Sequence, residues 1–454
     1  MRDLGRSDDP RVQAQLDRLT ALSLPQGRFG LETMWALMER LGDPQDRLPP
    51  VFHVAGTNGK GSTCAFLRAL LEAEGHRVHA TISPHLVRYN ERIRLAGRLI
   101  EDEHLAALLA EVLDAAEELN PSFFEATIAA AFLAFSREPA DACVVEVGLG
   151  GRLDATNVVR APSVCGIAAL GMDHERFLLS PEEGTPAEPM ARIAFEKAGI
   201  AKPGVPLITL AYGDAEAAAI DAVAERVGAP WLAQDRDWDV QDSAVSLFYG
   251  DESGRDEGGL HLPLPNLPGA HQITNAGLAI AMLRHQSALP IGTGALAHGL
   301  RTAHWPARLQ RLGDGPLTRR LPHCRWLLDG GHNLQAAEAL ATHLGSGDGG
   351  KGYAIIGMLD AKDWRRFISR LAPFFHTMVA VPVPGHEYAP LVEMAAEARL
   401  CGVGEAASAP DVEAAIAWIA MHQRPGEEPY DDIFIGGSLY LAGEVLRLNG
   451  EVPD

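Results

Sequence analysis

The sequence predicts an α/β protein in two units, a larger, mostly parallel sheet followed by a smaller α/β unit, and three observations carry that expectation. Short apolar runs such as 51–55 and 142–147 read as strands buried on both faces. Segments of helical periodicity, among them 62–74, 105–119 and 127–135, alternate with those runs, the pattern of a parallel sheet flanked by helices. A fresh series of the same kind begins after Ala303, and 454 residues leave room for two or three domains.

In chain order, 22–41 reads as a loop and then a helix, because Leu31, Met34, Leu37, Met38 and Leu41 recur at helical spacing. The strand 51–55 runs into a glycine-rich turn, and the helix after it ends near Gly75. Beyond the helices at 105–119 and 127–135 come strands at 142–147 and 163–169. From 231 to 264 the pattern changes to short alternating segments broken by Gly, Asp and Pro, which predicts a small antiparallel appendage. A helix at 274–284 follows, then strands at 325–328, 353–356, 377–381 and 432–435, with a domain boundary near 302 and a surface loop at 345–352.

Composition narrows the function. Lys and Arg number 39 against 60 Asp and Glu, a formal net charge of −21, and no segment gathers the basic residues, so nucleic acid is not an expected partner. The cysteines Cys64, Cys143, Cys165, Cys324 and Cys401 are odd in number and lack a CxxC pair, which argues against a disulfide framework or a thiolate zinc site and for a reducing compartment. The first ten residues mix both charge signs and no apolar run reaches membrane-spanning length, so the expectation is a soluble, cytoplasmic protein with no membrane partner.

The most informative segment is HVAGTNGKGST, His53–Thr63, where a strand delivers glycines and Lys60 to the start of a helix. Glycines let backbone N–H groups close around phosphate oxygens, the helix N-terminus adds positive potential, and a lysine neutralises charge. The spacing is not the general GxxxxGK[ST] pattern, since Val54 stands at its first glycine and Gly61 follows the lysine. Glu146 ends an apolar strand, where a carboxylate suits a magnesium ion bridging nucleotide phosphates. Each of six further residues also has a plain structural reading: Ser83 as a turn residue, His174 as a polar loop residue, Lys197 as a solvated helix lysine, Asn275 as a helix-start residue, Arg308 as a surface cation and Asp329 as a strand-end turn.

GTNGKGS resembles the phosphate loop of the folylpolyglutamate synthase and dihydrofolate synthase family, a branch of the Mur ligase superfamily. TISPHLVRYNERIRL (81–95), EVGLGGRLDATN (146–157), MDHERFL (172–178), FEKAGI (195–200), HQITNAGLA (271–279), WPARLQ (305–310), DGGHN (329–333) and GMLDAKD (357–363) follow in that family's order. The resemblance implies a phosphate-loop domain with a mostly parallel sheet, like the Mur ligase central domain, over 1–302, binding ATP and pterin. A smaller Rossmann-like α/β C-terminal domain over 303–454 would carry the glutamate ligase part. It implies Lys60, His174 and Lys197 as catalytic groups; Gly59, Lys60, Gly61, Ser62, Asn275, Arg308 and Asp329 at ATP, with His332 and Asn333 nearby; and Ser83, Glu146, His174 and Lys197 at two magnesium ions. Lys197 would carry a carbamate derived from carbon dioxide.

For the acceptor the resemblance implies Arg28, Phe29, Gly30 and Leu31, then Ser122, Phe123, Phe124 and Glu125, then Leu153, Asp154 and Ala155. Phe123 and Phe124 could give a flat apolar surface and Asp154 an acceptor for an aminopyrimidine edge, or they could be core aromatics and a loop acid. Arg28 and Phe29 depart from the family's acidic, aliphatic pair, and the Pro- and Glu-rich stretch 178–196 is longer than the family pattern. The implied activity is an ATP-dependent ligase joining L-glutamate to dihydropteroate and to folate glutamate tails through an acyl phosphate. The form SPHL, with His85, resembles the bifunctional bacterial type. The expected protein is a monomer whose partners are dihydropteroate or folate, L-glutamate and ATP. Tail extension alone, another Mur-type amide ligase with a different acceptor, and a non-catalytic nucleotide sensor are the alternatives.

Overall fold

The computed structural model describes residues 7–21, 30–251, 259–346, 352–422 and 432–454, and within them the strands fall into three sheets. The largest contains β1 (Val51–Ala55), β2 (Val78–Thr81), β3 (Ile93–Leu95), β4 (Arg98–Leu99), β5 (Ala142–Glu146), β6 (Val164–Ile167), β7 (Leu207–Thr209) and β8 (Trp231–Ala233), in the order β4-β3-β2-β5-β1-β6-β7-β8. All neighbours are parallel except β2 with β3 and β3 with β4. Every residue of β1, β2, β5 and β6 is buried, as a sheet covered on both faces requires.

Alternation assigns the two faces. Phe52, Val54 and Val144 pack with the helices Lys60–Ala73 and Ala270–His285. Val51, Cys143 and Val145 pack on the opposite face, with the helices Glu32–Arg40, Asp102–Ala115 and Phe123–Arg137. A small antiparallel sheet of β9 (Trp238–Asp242), β10 (Ser246–Asp251) and β11 (Leu260–Pro263) closes over the first of these faces. The third sheet has the order β12-β13-β17-β14-β15-β16, from Gln310–Arg311, Arg325–Asp329, Asp432–Gly436, Gly352–Ile356, Phe375–Ala380 and Glu405–Ser408; only the β12 pairing is antiparallel.

Several expectations shift. The antiparallel appendage begins at Trp238, because Trp231–Ala233 pairs parallel with β7 as the last strand of the large sheet. The helix expected at 127–135 starts at Phe123, where Ser122 and Glu125 form a capping box. The helix expected to run to Leu119 stops at Ala115, and that expected at 274–284 spans Ala270–His285. Within the long stretch 178–196, the second half belongs to the helix Pro189–Ala198. Of the loop expected at 345–352, Gly345 ends a helix and Gly352 opens β14, while 347–351 lie outside the described residues. All five cysteines are free. No helix among the described residues is long and apolar enough to cross a membrane.

Candidate active site

β1 lies between β5 and β6, so the turn after Ala55 emerges among the carboxyl ends of three parallel strands, where open α/β sheets collect ligands. Gly59 caps the helix Lys60–Ala73 with φ +83°, in the left-handed region. A Cβ on Gly59 would stand 2.4 Å from Asn275 Oδ1, which shows how closely Asn275 is pressed on the turn. Thr57 and Asn58 donate their backbone N–H groups to Ala169 O at 2.8 and 3.1 Å, so the segment after β6 fastens the turn. Lys60 Nζ folds back to donate to Gly56 O at 3.1 Å and Thr57 O at 3.3 Å. Ser62 is buried and accepts a hydrogen bond from Gln272 Nε2 at 3.2 Å. The helix's first N–H groups lack intrahelical partners, an anion-binding arrangement.

Glu146 closes β5 opposite Val54 and is buried; its Oε2 accepts Ser83 N–H at 3.1 Å. Burial pushes its carboxyl up, while the Lys60 charge and the Ser83 N–H draw it down. Lys197, on the helix Pro189–Ala198, is 3% exposed and donates from Nζ to Gly56 O at 3.0 Å, the carbonyl that also receives Lys60. Burial first, and the Lys60 charge second, lower its ammonium to about 7. The solvated-lysine alternative therefore fails, and its neighbour Glu196 is buried too, paired with Arg152 and Arg192 at 2.9 Å each. His174 has φ +54°, and burial lowers its imidazole to about 4, leaving it neutral at pH 7.

Among the described residues no three His, Cys, Asp or Glu side chains converge as a metal cage. The Glu146 carboxylate and the Ser83 hydroxyl, on residues joined by the bond from Ser83 N–H to Glu146 Oε2, make an incomplete, oxygen-bearing donor set. That set fits a divalent ion that keeps water and phosphate ligands. As an ammonium Lys197 donates and cannot ligate; as a carbamate it would offer two oxygens.

The second unit meets this turn directly. Asp329, the last residue of β13, is buried and accepts N–H groups from Leu309 at 2.8 Å and Gly331 at 2.7 Å. Arg308 Nη1 donates to Ala307 O at 3.0 Å, in a linker where Ala307 and Leu309 both have positive φ. His332 Nδ1 lies 3.1 Å from Gly330 O. Asn333 caps the helix Leu334–Gly345 and donates to Asn58 Oδ1 at 3.0 Å; Asn58 in turn donates to Gln335 Oε1. Asp173 receives Lys362 Nζ at 2.6 Å and stands 3.5 Å from His332 Nε2. Burial pushes the Asp173 carboxyl up, but the His332 hydrogen bond and the charges of His174, Lys362 and His332 outweigh it and hold the carboxyl far below the usual carboxylate range.

Sequence reasoning missed Asn58, Asp173, Gln335 and Lys362. Three of them sit inside the quoted motifs and Gln335 lies two residues beyond one, but a contact between residues 189 positions apart leaves no local trace. The Asp173–Lys362 pair is 9% exposed on each side chain. Asp173→Asn leaves that ammonium facing a neutral amide and is expected to cost about 3 kcal/mol, seen as a lower thermal midpoint at pH 7. Because the folded carboxyl lies below its unfolded value, this contribution is complete above about pH 4 and fades as pH falls further. An unchanged midpoint would remove the pair from the list of contacts joining the units.

Of the acceptor residues, Arg28 and Phe29 lie outside the described residues, and Gly30 and Leu31 precede the helix Glu32–Arg40. Ser122 and Glu125 spend their polar groups on each other: Ser122 N donates to Glu125 Oε2 at 2.7 Å and Glu125 N to Ser122 Oγ at 3.2 Å. The Phe124 ring rests on Gly148, just beyond Glu146, so closely that a Cβ there would meet it at 2.3 Å. Phe123 meets Tyr89 edge-on at 5.9 Å and lies under Arg92. Asp154 is buried, with Leu149 N–H on Oδ2 at 2.8 Å and Thr156 N–H on Oδ1 at 3.0 Å; Ala155 is buried beside it and Leu153 is half-buried. Phe124, Gly148 and Asp154 thus adjoin the Glu146 end of β5.

Comparison with known proteins decides the family. Folylpolyglutamate synthase of Lacticaseibacillus casei is 33% identical over 430 residues, covering 90% of this chain and 92% of that protein. This chain belongs to the folylpolyglutamate synthase/dihydrofolate synthase family. Dihydrofolate synthase/folylpolyglutamate synthase of Escherichia coli is 33% identical over 422 residues, covering 92% of this chain and 91% of that protein. The family described as dihydrofolate synthetase, C-terminal domain, matches residues 318–448. The structure of Escherichia coli FolC in complex with DHPP and ADP superposes with a TM-score of 0.82 at 30% identity over 96% of this chain and 97% of that one. A bifunctional synthase with Mn, AMPPNP and L-glutamate bound gives 0.80 at 31% identity over 96% and 97%. As a family member, the protein is an ATP-dependent amide-forming ligase with the family's Mur ligase-like fold.

Proposed function

We propose that this enzyme joins L-glutamate to dihydropteroate, giving dihydrofolate, and also to the glutamate tail of folates. ATP would drive both reactions through an acyl phosphate. The observation that most supports this reading is the convergence of Lys60 and Lys197 on Gly56 O, at the mouth of the sheet that also presents Glu146. A carboxylate is a poor electrophile until an oxygen carries a good leaving group. One carboxylate oxygen of the acceptor attacks the γ-phosphorus and ADP departs. The glutamate amine then attacks the acyl carbon and phosphate leaves, so an amide, ADP and phosphate are produced.

In this reading the helix N-terminus at 59–62 and Lys60 hold the phosphates and stabilise charge on the transferring group, where positioning and electrostatics dominate. Asn275, Arg308 and Asp329 would position the nucleotide between the units, 1–302 and 303–454, so that closure keeps water from the acyl phosphate. Glu146 and Ser83 would hold one magnesium ion, and His174 with a carbamate on Lys197 a second; bound there, they neutralise phosphate charge. The acceptor ring would lie toward Phe124 and Asp154. We place the enzyme in the cytoplasm as a monomer.

Phosphate release by the purified protein, measured with ATP and each acceptor, tests the reading. It is expected to depend on glutamate with dihydropteroate and with a folate. Turnover with folates alone reduces the activity to tail extension, and release indifferent to glutamate sinks the ligase assignment.

A further inference from the structure

A cleft of about 340 Å³ runs between the two units from Ser83 and Glu146 to Arg68 and Arg94. One face of the helix Lys60–Ala73 forms its floor: Gly61, Cys64, Ala65 and Arg68 line it, at the spacing that brings residues onto one side of a helix. Seven residues at 1.5 Å each put Arg68 roughly 10 Å beyond the phosphate turn.

The far end of the cleft carries two arginines that the side chains around them hold only loosely. Arg94, on β3, has no carboxylate within ion-pair distance among the described residues and donates only one long bond, to Gly97 O at 3.3 Å. Arg68 Nε is buried without a hydrogen-bond partner and stands 3.8 Å from the Glu72 carboxylate. His304 lines the same end. Glu91, which also lines the cleft, is already committed to three backbone N–H groups, those of Leu86, Val87 and Arg88 at 2.7 to 2.8 Å. The chain itself supplies further negative charge: Glu451 and Asp454 line the same cleft, and the Asp454 charge acts on Arg94. Glu451 is tethered by Gln310 at 3.1 Å and the Gly313 N–H at 2.8 Å, and Asp454 lies 3.9 Å from Arg88. An acidic segment of the chain thus rests where an acidic ligand would.

We propose that the Arg68–Arg94 end of this cleft is a subsite for the carboxylates of the acceptor's γ-glutamyl tail. The inference rests on the function proposed above and adds the residues that read tail length. A γ-linked unit spans roughly 6 Å when extended. With the reacting carboxyl at the phosphate turn, the α-carboxylates of the preceding one or two units reach Arg94 and Arg68, displacing Glu451 and Asp454. Dihydropteroate has no tail and cannot use the subsite.

Steady-state kinetics of Arg94→Gln and Arg68→Gln, with dihydropteroate and with a tri-γ-glutamyl folate as acceptors, test this. Each variant is expected to raise KM for the triglutamyl acceptor about tenfold, the scale of one charge-assisted hydrogen bond, with kcat within twofold. KM for dihydropteroate, ATP and glutamate should stay within twofold, and Arg94→Lys should recover most of the loss. An equal rise with both acceptors, a rise confined to glutamate or ATP, or no change overturns the subsite. So does a wild-type enzyme that uses dihydropteroate but no tail-bearing acceptor. A wild-type enzyme inactive with both acceptors overturns the function beneath it as well.

Discussion

Lys60→Ala is expected to lower glutamate-dependent phosphate release by about a thousandfold while leaving the fold in place. Nothing structural depends on its ammonium, whose two hydrogen bonds run to backbone carbonyls of its own turn. Charge placed where negative charge develops is worth about 10²- to 10³-fold per donor in a water-poor site. Lys60 also acts on its neighbours, since its charge draws the Glu146 carboxyl down and the Lys197 ammonium down. Without it, Glu146 takes up a proton more readily and Lys197 becomes harder to deprotonate, so both proposed metal positions weaken together. Isothermal titration with ADP and magnesium should therefore show weaker nucleotide binding and a steeper loss of magnesium affinity as pH falls. Turnover within tenfold of the parent enzyme would show that the phosphates are held elsewhere.

What the sequence disclosed follows from range. The phosphate turn was legible because a buried strand, glycines, a lysine and a helix start lie within about a dozen positions, each with local preferences that agree. Glu146 was legible as a charge ending an apolar run. β7 and β16 were not: Leu207–Thr209 is three residues long, and EAAS at Glu405–Ser408 becomes a strand only by pairing with β15. Trp231–Ala233 was assigned to the wrong sheet for the same reason, because a three-residue strand carries no signal of which neighbour it will join. Ser122–Glu125 shows the converse. Its S-x-x-E spacing is the sequence mark of a capping box, and the structure uses it so, whereas the resemblance drew attention to ligand contact. The burial of Lys197 was hidden, since its neighbours in sequence include Glu196 and nothing local says that Gly56 O will lie 3.0 Å away.

That burial leads to the other large effect. Lys197→Met is expected to abolish turnover, by about a thousandfold or more, and yet to make the ligand-free protein more stable at neutral pH. An ammonium whose folded pKa is about 7, against an ordinary 10.5, destabilises the fold while it is charged. The unfolded chain binds the extra proton, so stability rises with pH between about 7 and 10.5, and the full penalty applies below that window. Methionine fills a similar volume without a charge. After allowing for the lost bond to Gly56 O, the gain is on the order of 3 kcal/mol, readable as a raised thermal midpoint in buffer free of carbon dioxide. The same lowered pKa favours carbamylation, in which the neutral amine adds to carbon dioxide, forming an N–C bond and releasing a proton. Its neutral fraction climbs from about a tenth at pH 6 to about nine-tenths at pH 8. A carbamate carbon signal from ¹³C-bicarbonate should therefore grow over that range in the parent enzyme and be missing from Lys197→Met. A variant that is both stabilised and fully active would show that the buried amine has no part in the chemistry, and a parent enzyme without the signal would leave the second proposed metal position with His174 alone.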